Sequence, residues 1–97
     1  MRYAFELRAM PRKGPATPEA TERAYPYIVE MLVPEGGFGP KLDAMHQFHA
    51  RYGIQPQHGR SRREQGRNYI RWCFADPGIA VEFADEFGGT IGHPHPD

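Results

Sequence analysis

The stretch RNYIRWCFADPG, residues 67–78, decides how the rest of the chain is read. Between Tyr69 and Phe74 it alternates: Ile70, Trp72 and Phe74 fall on one side of an extended chain, and Tyr69, Arg71 and Cys73 on the other. That period of two predicts a strand over residues 68–74. The strand stops at Asp76-Pro77, a carboxylate at a helix cap followed by proline at the first helical position. Beyond it Ile79, Ala80, Phe83, Ala84 and Phe87 recur at helical spacing until Gly88-Gly89 ends the run. The strand face Ile70-Trp72-Phe74 and this helical stripe are the densest apolar surfaces in the chain, so Trp72 and Phe83 are expected in one core.

A second strand and helix precede this pair. YIVEMLV, residues 27–33, is partly β-branched and is closed by Pro34 and the glycines of PEGGFGP, which predicts a strand and a turn. From Pro40 the period changes to that of a helix, with Leu42, Met45, Phe48, His49 and Tyr52 on one stripe and Gly53 as the left-handed cap. Residues 54–58 read as a weak strand, residues 59–66 as a polar, arginine-rich loop, and Thr90-Ile91 as a very short edge strand. RYAFELRA, residues 2–9, also alternates and reads as a strand added at an edge. Thr17-Pro18 opens a short helix with a poor apolar face. The order from Tyr27 (strand, helix, weak strand, strand, helix, weak strand) is that of a split βαβ unit. The expected fold is therefore a small α+β domain whose order matches that of ferredoxin-like domains, with two main helices packed on one face of an antiparallel sheet. Residues 1–92 are expected to form this single domain and residues 93–97 a flexible tail.

Ninety-seven residues, 39% of them apolar and twelve aromatic, suffice for one small core. Eleven glycines and ten prolines keep its elements short. The single cysteine cannot form an internal disulfide, and MRYAFELRAM contains no continuous apolar run, so a soluble cytoplasmic protein without membrane contact is expected. Formal charge sums to zero, but five arginines against Glu64 crowd residues 60–71, and no Lys or Arg follows Arg71. A neutral total with separated charge makes the molecule dipolar, which weakens a whole-molecule argument for polyanion binding and leaves a local patch.

RNYIRWCF resembles, over its eight residues, the third strand of an RNA-recognition-motif domain, whose RNP1 pattern runs basic, glycine, aromatic, small, aromatic, aliphatic, any, aromatic. Arg67, Tyr69 and Phe74 fall on matching places. Asn68 stands at the glycine, Ile70 at the small residue and Arg71 at the second stacking aromatic, and YIVEML carries no RNP2, so the chain is not assigned to that family. The resemblance implies Tyr69 stacked on an unpaired base of single-stranded RNA, with Arg60, Arg62, Arg63, Arg67 and Arg71 at phosphates. The same six residues suit a protein interface, where tyrosine and arginine are enriched at the centre. The favoured reading is a non-enzymatic module that binds another protein or a second copy of itself through this Tyr/Arg face; single-stranded nucleic acid is the alternative.

No catalytic set is expected. Ser61 has no base beside it, Cys73 reads as a buried free thiol, and the PEGGFGP turn lacks both the Walker ending and the GxGxxG spacing. His46, His49 and His58 are the candidates for a zinc site, against which His49 reads as a packing residue and His46 as a surface one; no metal or cofactor is assigned. Glu82, Asp85 and Glu86 lie on the outward side of the last helix, and pairing with the arginine loop, in the same chain or a neighbour, would offset the unfavourable place of Asp85 and Glu86 near its C-terminus.

Overall fold

The computed structural model describes residues 17–92. It contains α1 (Pro18–Ala24), β1 (Tyr27–Leu32), α2 (Pro40–Arg51), β2 (Gln57–His58), β3 (Arg62–Glu64), β4 (Arg67–Phe74), α3 (Pro77–Phe87) and β5 (Thr90–Gly92). The expected strand over residues 2–9 and the tail lie outside the described residues. β4 is the central strand of an antiparallel sheet. β1 flanks it on one side and carries β5 on its own far edge, while β2 and β3 pair in succession along the other side of β4. β1 and β2 are both antiparallel to β4 and hence parallel to each other, with α2 as the crossover, so the sheet has the split βαβ order. Among the described residues no helix is long and apolar enough to cross a membrane.

The signals at the element ends act as expected. Asp76 Oδ1 accepts hydrogen bonds from the N–H groups of Gly78 (2.7 Å) and Ile79 (3.2 Å), satisfying two donors that the first turn of α3 leaves free. Gly88 closes α3 in the left-handed conformation at φ +85°. Replacing Asp76 by alanine removes the acceptor of both bonds from a part of α3 that buries little, so a loss of roughly 0.5 to 2 kcal/mol in urea unfolding is expected, with the folded spectrum unchanged.

The core lies between the sheet and the α2 and α3 layer. Val29 and Met31 of β1, Trp72 and Phe74 of β4, Met45 and Phe48 of α2, and Ala80, Phe83, Ala84 and Phe87 of α3 form one buried cluster, with Ile70 packed at its border. Phe83 sits at its centre, its ring 5.1 to 5.5 Å from those of Phe48, His49, Trp72 and Phe74 and 4.8 Å from that of Phe87. Leu42 and Tyr52, expected on the buried stripe of α2, are exposed; Tyr52 is the C-cap, where its hydroxyl donates to Glu82.

Two expectations change. Residues 59–66 are not all loop: β3 and β4 form a hairpin through Gln65-Gly66, whose φ angles of +53° and +77° make the two-residue primed turn that matches sheet twist. Glutamine seldom takes positive φ, so the turn has no strong sequence signal, and the ladder with β4 imposes it. The second face of the sheet is also not left open. α1 closes one half of it, burying Thr21 and Glu22 rather than an apolar stripe, and Ile28 and Cys73, paired on that face, are buried as well.

Candidate functional site

Strand register sorts the arginines. Directly opposed residues of an antiparallel pair share a face, and so do residues two apart. Arg62 opposes Tyr69, Glu64 opposes Arg67, Glu30 opposes Arg71 and Leu32 opposes Tyr69, so these seven side chains project from the face that α1 half covers. Arg63, opposite Asn68, projects from the other side, and Arg60 precedes β3 near Glu19 of α1. Of the six residues expected to act together, the structure gathers Arg62, Arg67, Tyr69 and Arg71 on one face, sets Arg60 at its α1 border and turns Arg63 away.

The two arginines in the middle of that face are engaged. Arg71 hydrogen-bonds Glu22 of α1 (3.1 Å) and Glu30 of β1 (3.1 Å), and Arg62 bonds the same Glu30 (2.8 Å) and also Glu64. The result is a chain of alternating charge, Glu22, Arg71, Glu30, Arg62, Glu64, laid across three strands and a helix. Glu22 has only 4% of its side chain exposed and also accepts from the N–H of Arg60 at 2.7 Å. Gly59 makes room for it, since a Cβ there would collide with the Glu22 carboxylate. The Arg62 hydrogen bond, opposed by burial and reinforced by Arg71, holds the Glu30 carboxyl below the usual carboxylate range. Burial works against the Arg71 charge, but Glu30 and Glu22 outweigh it and its pKa is raised. Arg62 is also raised, chiefly by its bond to Glu30.

Beyond this ladder lies an aromatic and apolar patch. The Arg62 guanidinium rests 4.2 Å from the centre of the Tyr69 ring, a cation–π contact, and Leu32 beside it is 46% exposed. A groove of about 560 Å³ continues from the patch between the turn after β1 and the β3–β4 turn, lined in part by Leu32, Glu35, Gly66 and Arg67. Leu32 was missed in the sequence: YIVEMLV reads as a strand with no face assigned to its residues, and only the register with β4 shows that Leu32 faces out beside Tyr69.

The other candidates resolve differently. Burial, with Glu22 adding to it, pushes the Cys73 thiol up to about 11, so it stays protonated and unreactive at neutral pH. Two of the α3 acids are engaged away from the arginine loop: Glu86 pairs with Arg51 at 3.3 Å and Glu82 accepts from Tyr52, both at the end of α2. α2 lies beside α3 on the core side of the sheet, and the arginine loop projects mainly from the opposite side. Among the described residues no group of three or more His, Cys, Asp or Glu side chains could hold a metal ion. No protein-family model matches the chain, and no curated protein or solved structure matches it.

Proposed function

We propose that the protein is a small interaction module that associates with a second copy of itself through the hairpin end of its second sheet face, with Leu32, Tyr69 and Arg62 at the centre. The observation that carries this reading is the fixing of Arg62 between Glu30 and the Tyr69 ring. An arginine and a tyrosine already held in place lose little rotamer freedom when a partner covers them, which favours binding. The charge pattern favours a second copy. Arg62, Arg67 and Arg71 on this face are matched by Glu22, Glu30 and Glu64, and a two-fold interface, which sets one patch against itself, needs both signs on that patch. The same balance weakens the RNA reading, because a phosphate chain meets carboxylates as well as guanidinium groups and one side of the Tyr69 ring is taken by Arg62.

Light scattering across concentration, up to hundreds of micromolar, tests this. Association is expected in the wild-type chain. Tyr69→Ala and Leu32→Glu, both at exposed or half-exposed positions, should each weaken it at least tenfold, about 1.4 kcal/mol, while leaving the far-UV spectrum unchanged. A strictly monomeric wild type sinks the proposal. So does binding of labelled single-stranded RNA, measured by fluorescence anisotropy in low salt, that falls with Tyr69→Ala; that outcome would establish the stacking reading instead.

A further inference from the structure

Trp72 is ringed by three histidines. The His58 ring lies 4.4 Å from it, centroid to centroid, His49 5.5 Å and His46 6.2 Å. His49 is the innermost, 1% exposed, stacked on Phe74 at 5.3 Å and edge-on to Phe83 and Phe48. Its Nδ1 lies 2.8 Å from the carbonyl oxygen of Met45, and a carbonyl only accepts, so Nδ1 carries the hydrogen and Nε2 is a bare acceptor. That Nε2 is buried without a hydrogen-bond partner, and so is the Nε1–H of Trp72 beside it. The site can take a proton but has nothing to receive the new N–H. The side chains packed on the ring from β4 and α3 are Trp72, Phe74 and Phe83, none of which titrates. The titratable neighbours are His46 on α2 and His58 on β2, both of the sign that opposes a second cation, and the α3 acids Glu82 and Glu86 are engaged by Tyr52 and Arg51.

We propose that His49 is a proton-operated latch: with Nε2 bare the segment Gly53–His58 stays closed on β4, and a proton on Nε2 releases that segment and opens Trp72 to water. The place of opening follows from what holds each neighbour. α2 is tied to α3 through Arg51–Glu86 and Tyr52–Glu82, whereas β2 pairs with β4 over just Gln57 and His58, extended by one bond from the Gly59 N–H to the Arg71 carbonyl (3.1 Å), and Gly53 at φ +65° begins the segment. A cavity of about 490 Å³, lined in part by His46, His49, Gly53, Ile54 and Pro56, already lies on this side of the ring and admits the water that an imidazolium needs. Burial lowers the affinity of His49 for a proton, opposed by its bond to Met45, and lowers that of His58 too. The closed form is therefore fully favoured above about pH 6.5, where the opened form has no proton to gain, and loses its advantage as pH falls through the lowered value.

Trp72 is the sole tryptophan, so its emission reads the latch directly. In the wild-type chain, lowering pH from 8 to about 5 should shift the emission to the red and raise acrylamide quenching several-fold. The change should be reversible and share its midpoint, below about 6.5, with the titration of the His49 ring followed by NMR. His49→Phe should abolish the change in this window, and His58→Gln, which removes one repelling cation, should move it to higher pH. Constant Trp72 emission while His49 titrates would overturn the proposal in the wild-type chain alone, whether or not the phenylalanine variant folds. An emission change of the same midpoint and size in folded His49→Phe would overturn it equally.

Discussion

Replacing Phe83 by alanine is expected to lower the free energy of unfolding by about 3 to 5 kcal/mol, as deletion of a fully buried phenylalanine does. Phe83 is 0% exposed and touches rings from α2, β4 and its own helix, so its removal opens a cavity where three elements meet. The surrounding rings are held by strand register and by α3 itself and can collapse only partly into the space. For a domain of this size the loss is a large part of the total stability, so the urea midpoint should fall steeply. An unchanged midpoint would remove Phe83 from the core and with it the register of α3.

Arg71→Glu is the second large effect, expected at about 3 kcal/mol or more, measured by urea or thermal unfolding. The substitution places a carboxylate between Glu22 and Glu30, both of which now bond the Arg71 guanidinium, and Glu22 has almost no contact with water in which to dissipate the repulsion. Arg71→Met, which keeps the stem but not the charge, should cost less, because Glu30 retains Arg62. Equal losses in the two variants would show that the added carboxylate costs nothing beyond the loss of the guanidinium. Arg71 thus joins α1 to the sheet, and a charge reversal there tests the fold before it tests any interface.

The parts of this domain set by local chemistry were legible in the sequence. Alternation in RNYIRWCF, the Asp76-Pro77 start, the Gly88 stop and the stripe from Ala80 to Phe87 each act within a few residues, where backbone geometry and apolar spacing leave few alternatives. The same reasoning placed His49 inside and His46 outside, since one lies on the stripe of α2 and the other beside it. The hairpin turn was not legible, because Gln65 accepts positive φ only under the pull of the β3–β4 ladder. Within the candidate site the residue types were visible, but their division between faces depends on a register that no residue states alone. Arg63 is one position from Arg62, and that single step turns it to the other side of the sheet.

By itself the sequence determined the α+β class, the central strand and helix, and the core that Trp72 and Phe83 share, because burial of apolar surface has a period that can be read along the chain. Only the tertiary structure decided what becomes of the arginines. Glu22 and Arg71 are 49 residues apart and Glu30 and Arg62 are 32 apart, and nothing in the spacing of charges foretells such pairs. They form because α1 returns across the second face, Gly59 leaves a gap where a side chain would block Glu22, and strand pairing sets Glu30 opposite Arg71. A charge buried this way must find its counterpart in the fold, and the counterpart is chosen by position in space.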